Sequence, residues 1–558
     1  MENSKTYITI ILAVFSFLYA SSQSSVYNAR SIYIPAGYSL ATENFANSAA
    51  GELSFGSGQL VVSNNISNAG TFNAGTGTVV FNGDGNTQTF GAGIDEVYDL
   101  RVESTAEFIT NADQQLSING DFTNNGLFTL KSEAANDGSL IVYGNVSGSG
   151  QSRIERYLSA STWHLVTSPI TTGTAGVFYG IWLRPYDEAT NQFGAYIVPD
   201  NTPMPTGQGF SVWTNTSETR TFTGTINNNS VTKTLQRTPD GGDLLNFGWN
   251  LIGNPYPCAI DLDAASGWTK NNVGRAVYVW DGGLGGGQYR VYLAATGIEQ
   301  GIAANGGSRY IAMEQGFFVQ AITNGATITM DKPIRVHNAI EFRDSEIIPD
   351  MININVAGNG YSDESVIYYK AEADENFDFN YDAAKLYGTS AAPQLYTKKQ
   401  DNFLTISSIN DFDELNGKFV YLEVGTASEY MLKFSHSIVG YSPLLKDLFT
   451  DQYIYPGQNY VFFANPDDNS QRFQFSYDLT GITEETVNDI SVWAFENVLR
   501  VEPQNGENIE NISVYTIHGQ LVMQFTELEK DLSALTTAVY IVKVRAGQTT
   551  KIEKISVK

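Results

Sequence analysis

Short apolar runs with alternating inward and outward positions, cut by Gly, Asn, Ser and Thr, recur from one end of this chain to the other. That pattern predicts strands and tight turns with little helix. Between residues 51 and 150, Ile66-Ser67-Asn68-Ala69-Gly70-Thr71-Phe72 recurs as Phe122-Thr123-Asn124-Asn125-Gly126-Leu127-Phe128, and Thr78-Val79-Val80-Phe81-Asn82-Gly83 is echoed by Leu140-Ile141-Val142-Tyr143-Gly144-Asn145. Strands joined by Asn-Gly corners suit a parallel β-solenoid, in which each coil covers the open face of the one before. A Greek-key sandwich would alternate in the same way, and the irregular period leaves that alternative open.

Residues 153 to about 340 carry an internal duplication. Trp163-His164-Leu165-Val166-Thr167-Ser168-Pro169 returns as Trp249-Asn250-Leu251-Ile252-Gly253-Asn254-Pro255, and Gly207-Gln208-Gly209-Phe210-Ser211-Val212 returns as Glu314-Gln315-Gly316-Phe317-Phe318-Val319. Tyr186-Asp187 with Tyr196 is matched loosely by Trp280-Asp281 with Tyr289. Each copy reads as strands linked by polar turns, so two related antiparallel β-modules are expected in tandem. Longer strands follow, such as Val366-Ile367-Tyr368-Tyr369 and Tyr460-Val461-Phe462-Phe463-Ala464. The expected class is all-β: a short solenoid-like segment at 23–152, modules at 153–243 and 244–340, a β-sandwich at 341–480, and a small C-terminal β-sandwich at 484–558. Gly481 to Thr486 reads as a polar linker.

The two ends point outward from the cell. Lys5 followed by an apolar run from Tyr7 to Ala20, with small residues at Ala20 and Ser22, predicts a signal peptide over 1–22 cleaved near Gln23. The run is shorter than the ~20 residues a membrane helix needs, and no transmembrane segment is expected in the mature chain. At the other end come Asn511 and I-S-V-Y-T-I-H-G-Q-L-V, then Met523-Gln524-Phe525, Asp531-Leu532-Ser533, Ala538-Val539-Tyr540-Ile541-Val542-Lys543-Val544 and the lysine-bearing Lys551 to Lys558. This order resembles the type A C-terminal sorting domain of the Bacteroidetes type IX secretion system, with Gly519 as the turn glycine. It departs from that pattern at Val501-Glu502-Pro503-Gln504-Asn505-Gly506, where a P-N-P turn is usual, and at Ala538, where glycine is usual. The resemblance implies the type IX machinery as partner, a secreted protein or one on the extracellular face of the outer membrane, and Gly519, Tyr540, Lys554 and Lys558 as residues serving export or anchoring. Surface glycans or lipopolysaccharide are the further partners considered.

Composition narrows the chemistry. With 32 basic and 59 acidic residues, the formal charge of -27 argues against nucleic acid, whose affinity comes from clustered Lys and Arg. Cys258 is the one cysteine, so neither an internal disulfide nor a cysteine metal cluster is available. No cofactor is implied, save that Asp378, Asn380 and Asp382 alternate as oxygen donors do in Ca²⁺ loops. Ala383 and Thr389 stand where an EF-hand needs Gly and Glu. His164, His337, His436 and His518 lie far apart, and no nucleophile elbow or phosphate loop is present. Trp280, beside a glycine run, and Trp213, near a polar turn, are candidate glycan contacts, though duplicated spacing also suits core positions. The expectation is a non-enzymatic adhesin or surface structural protein. The alternatives are a polysaccharide-active lyase or glycoside hydrolase, for which two placed carboxylates suffice, and a soluble glycan-binding module.

Overall fold

The computed structural model describes residues 25–83, 85–91, 93–198, 200–239, 243, 246–283, 287–295, 301–337, 350–438, 441, 443–477, 490–495, 497–503, 509–517, 520–546 and 549–557. The expected signal segment 1–22 and the linker at Gly481 to Thr486 lie outside these residues. The described chain is all-β, interrupted by short 3₁₀ turns, and separates into two compact units, Met1–Ser476 and Tyr477–Lys558.

The first unit opens as a parallel solenoid. Six strands, Ser39–Thr42, Gln59–Val62, Thr78–Phe81, Asp99–Val102, Phe122–Asn124 and Val146–Ser147, stack into one sheet. Between successive members the chain visits two further parallel ladders, so each coil has three sides. These parallel ladders replace the Greek-key alternative. Inward residues form a continuous apolar column in which the rings of Phe90 and Phe108 lie 5.0 Å apart and those of Phe108 and Phe128 5.7 Å apart. One corner is pinned by an asparagine ladder. Asn28 Nδ2 donates to Asn47 Oδ1 (2.9 Å), and Asn47 Nδ2 donates to Asn68 Oδ1 (2.7 Å) and to the Thr71 carbonyl (2.9 Å). A Cβ at Gly51 would fall 2.1 Å from Asn47 Oδ1, so the corner tolerates no side chain there.

The sequence echo does not mark equivalent coil positions. Phe122–Asn124 and Thr78–Phe81 share a side, whereas their echoes Ile66–Asn68 and Ser139–Val142 lie in other ladders. Every side needs the same inward alternation ending in an Asn or Gly corner, so any strand and corner resembles any other.

Strand Gln151–Leu158 closes the solenoid. It lies parallel to Leu127–Leu130 on one edge and antiparallel to Glu218–Gly224 on the other, which hands the fold over to the duplicated modules. In the first copy Thr162–Val166 pairs antiparallel with Phe210–Thr214; in the second Trp249–Gly253 pairs with Gly316–Gln320 in the same register. The copies meet reciprocally. Val166 bridges Gln315 and its counterpart Ile252 bridges Gln208, while Thr167 N–H donates to the Glu314 carbonyl (3.0 Å) and Gly253 N–H to the Gly207 carbonyl (3.1 Å). This is a local pseudo-two-fold within one chain. Tyr186 pairs with Phe193 as Trp280 pairs with Tyr289, so Phe193, rather than Tyr196, is the counterpart of Tyr289.

Residues 350–477 form a sheet that runs from Gln452–Ile454 at one end to Tyr460–Ala464 at the other and doubles back on itself. Phe462 at the far end meets Phe473 near the beginning, with rings 5.4 Å apart, and Arg472 Nη1 donates to the Phe463 carbonyl (2.9 Å). The result is a sandwich.

The second unit, by itself, stacks a three-stranded sheet (Ile490–Phe495, Val498–Pro503, Glu529–Asp531) with a four-stranded one (Leu521–Phe525, Asn511–Thr516, Ala538–Ala546, Thr549–Val557). Ile512, Val514, Leu532, Tyr540, Val542 and Val544 share its core. In Asp531-Leu532-Ser533 the Asp531 carboxylate accepts the Ser533 N–H (2.8 Å) and Leu532 is fully buried. The motif is thus a capped turn with a core plug.

Candidate functional site

Three adjacent antiparallel strands of the first module carry a tryptophan at the same level. Trp163 on Thr162–Val166 stands opposite Trp213 on Phe210–Thr214, which stands opposite Trp182 on Trp182–Arg184. Directly opposed residues point to one face, and the rings of Trp163 and Trp213 lie 5.4 Å apart. Strands sit ~4.8 Å apart, so the row extends about 10 Å. With Tyr196 the three tryptophans line a cleft of about 280 Å³, in which Trp182 is 40% and Tyr196 50% exposed. The Trp213 indole N–H donates to Asn215 Oδ1 (3.3 Å).

Arg184, on the same strand as Trp182, lays its guanidinium over the rings of Trp163 (4.0 Å) and Phe193 (4.5 Å). Burial lowers its pKa, while the nearby phenols of Tyr196 and Tyr289 oppose that shift. Its Nε is buried and meets no acceptor among the described residues.

The duplication shows why this face is unusual. In the second copy Trp249, the counterpart of Trp163, is fully buried and stands opposite Gln320. There Trp249, Leu251, Tyr278 and Phe318 share a core with Val366, Tyr368, Ala383 and Ala384 of the sandwich, and the Tyr278 hydroxyl donates to the Ala384 carbonyl (2.8 Å). The opposite sheet face of the first copy packs Val166, Phe210 and Val212 into the solenoid core. The level that Trp249 and Gln320 bury in copy two is therefore open in copy one and carries the aromatics, whereas Leu165 and Ser211, one step along the same face, are buried, Leu165 within that shared core.

Other sequence candidates fall elsewhere. Trp280 is half-buried against Tyr289, ring centroids 5.0 Å apart and edge to face, and is not part of the row. Residues 284–286 of its glycine run lie outside the described residues. Asp378, Asn380 and Asp382 do not converge on a cation. Asp382 is buried and accepts from Lys399 Nζ (3.0 Å), Ser408 N–H (2.7 Å) and Asp378 N–H (2.9 Å), while Asp378 Oδ1 accepts from Asn380 (2.8 Å). The alternation reflects an aspartate-capped turn and a buried ion pair. No cluster of three His, Cys, Asp or Glu side chains suited to a metal occurs among the described residues. Burial pushes the Cys258 thiol up to about 12, in keeping with a core role.

In the tail, Tyr540 is a core residue whose hydroxyl bonds the Thr536 carbonyl and hydroxyl (3.0 Å each), whereas Lys554 is exposed on the last strand. Gly519 and Lys558 lie outside the described residues. Sequence reasoning did not anticipate Arg184, Tyr196 or the alignment of Trp163 and Trp182 on either side of Trp213. The available signal was the unequal duplication, which aligns Trp213 with a glutamine.

No characterised protein matches this chain at a significant level. Residues 495–558 match the secretion system C-terminal sorting domain, which makes this a Bacteroidetes protein directed outward by type IX secretion. No described helix is long and apolar enough to cross a membrane. A match over residues 62–477 takes in most of the solenoid, both modules and the sandwich, and on it the chain belongs to the family described as a domain of unknown function (DUF8693).

Proposed function

We propose that this exported protein is a non-enzymatic adhesin or surface component that binds glycans on the open tryptophan row. The observation that carries the reading is the in-register alignment of Trp163, Trp213 and Trp182 on a face whose duplicate is covered by the sandwich. Pyranose rings stack their apolar faces on aromatic planes, and a row about 10 Å long offers room for about two sugar units. Asn215 and the Tyr196 hydroxyl stand beside the rings to meet sugar hydroxyls. Catalysis receives no comparable support: among the buried carboxylates Asp363, Asp382, Asp447 and Asp261 are tied to Lys385, Lys399, Arg472 and Arg309, Glu188 accepts from Thr238 and Gly248, and Glu314, unpaired among the described residues, is fully enclosed, away from the residues that line the cleft.

Co-sedimentation of the purified full chain with insoluble polysaccharides and whole cells tests the reading, with the supernatant assayed for released sugar. Retention without sugar release is expected, and Trp213→Ala should weaken it about tenfold, corresponding to ~1.4 kcal/mol. Release of oligosaccharides would replace the adhesin by a polysaccharide-active enzyme.

A further inference from the structure

We propose that the tryptophan row selects anionic saccharides and that Arg184 is the residue that reads the charge. This inference rests on the glycan-binding reading above and names its ligand class.

Arg184 is out of keeping with its surroundings. In a chain of formal charge -27, other arginines with a buried Nε keep a carboxylate: Arg156 pairs with Asp137 (3.3 Å) and Arg220 with Glu218 (2.8 Å). Arg184 has neither an ion pair nor a hydrogen bond among the described residues, and its attachments are the two rings it covers. The acids nearest in sequence are engaged elsewhere. Asp187 accepts from Ala189 N–H (3.1 Å) and Thr190 Oγ1 (3.0 Å), and buried Glu188 accepts from Gly248 N–H (2.6 Å) and Thr238 Oγ1 (2.8 Å). Stacking fixes the plane of a guanidinium without using its in-plane donors, which are the ones that grip an oxyanion in a fork. Its immediate electrostatic neighbours are the phenols of Tyr196 and Tyr289, which do not neutralise it. A positive, pre-oriented fork beside an aromatic row fits a sugar that stacks one face and carries an oxyanion at its edge, a uronate carboxylate or a sulfate ester. The counterpart strand of copy two carries Tyr278, buried under the sandwich, so the charge belongs to the open copy alone.

The test titrates the full chain with three soluble oligosaccharide series, one of uronic acids, one sulfated and one neutral, at low and at high salt. Uronate, sulfate or both should bind at least tenfold tighter than the neutral series, with an advantage that shrinks as salt rises. Arg184→Gln should abolish that advantage, bringing the acidic series level with the neutral one, and Arg184→Lys should restore part of it. Equal binding of all three series by the unaltered protein, or an acidic preference that survives in Arg184→Gln, overturns the inference. If Arg184→Gln does not fold, the salt dependence of the unaltered protein and the Arg184→Lys variant decide the question. The failures stay distinct: unchanged binding in Trp213→Ala rejects the cleft itself, whereas loss of binding there with an intact acidic preference in Arg184→Gln rejects Arg184 alone.

Discussion

Glu314 occupies a position that the first module gives to glycine. Its φ is +55°, beside +75° at its counterpart Gly207, so a side chain is held in the left-handed region that glycine enters freely. The carboxyl is fully buried, and neither oxygen finds a hydrogen-bond partner among the described residues. Burial raises its pKa well above 4.5; Arg156 opposes the shift and the charges of Asp137 and Glu155 add to it. The folded state therefore keeps a proton that the unfolded chain releases, so this stability is fully present below about pH 4.5 and is lost as pH rises through the folded pKa. His337 has the opposite sign. Held between Ser117 Oγ (2.9 Å) and Ser139 Oγ (2.8 Å), it is pushed down to about 4 by burial, so its contribution is present above pH 6.5 and is lost as pH falls toward 4. Urea melts across pH should show both limbs. Glu314→Gln should remove the alkaline slope, up to ~1.4 kcal/mol per pH unit, and His337→Gln part of the acid one; a Glu314→Gln curve that still falls with rising pH would assign that slope to other groups. Neither residue is legible in sequence, because a buried acid at positive φ reads as an ordinary turn glutamate until its duplicate is laid beside it.

At the scale of elements, the asparagine ladder ties successive coils through side chains as the parallel strands tie them through the backbone. Asn47 serves three levels at once. It accepts from Asn28, and its amide bonds Gly51 O, Asn68 Oδ1 and Thr71 O. Asn47→Ala strands several of these groups away from water, and at ~1 kcal/mol each the expected loss is about 2–4 kcal/mol. Asn73, whose exposed side chain accepts only from Gly75 N–H (3.2 Å) among the described residues, should cost within about 0.5 kcal/mol when changed to Ala. Chemical denaturation of the two variants separates a ladder from a merely asparagine-rich surface, and equal losses would refute it. The solenoid was legible because corner residues and inward alternation are local properties. Which side a strand joins was not, since coil steps in register vary from 19 residues between Leu60 and Val79 to 24 between Phe122 and Val146. The duplication was legible for the same local reason. The opening of one face was not, because it depends on where the sandwich packs, and Trp163 and Trp249 look alike in sequence while one lines a cleft and the other is core.

For the whole molecule, the division into Met1–Ser476 and Tyr477–Lys558 separates the unit that carries the sorting domain from the unit that carries the domain of unknown function. The tail has its own core, built from Ile490, Leu499, Ile512, Val514, Leu532, Tyr540, Val542 and Val557, all within residues 490–557. A core drawn from one unit implies a unit that folds by itself. Deleting residues 477–558, the whole second unit, should therefore leave the melting temperature of the remaining chain unchanged within about 2 °C while trapping it in the periplasm, because the sorting domain addresses it to type IX secretion. Cell fractionation and calorimetry of the same truncated protein check the two halves of this statement together. Periplasmic retention with an unshifted melt assigns the defect to delivery, whereas retention with a lowered melt assigns it to misfolding. Point variants follow the same logic: Tyr540→Ala empties the tail core and should lose export through unfolding, while Lys554→Ala alters an exposed residue, so any loss of export there with a folded tail marks a recognition surface. Normal export of the truncated chain would show that the outward address lies elsewhere in the sequence.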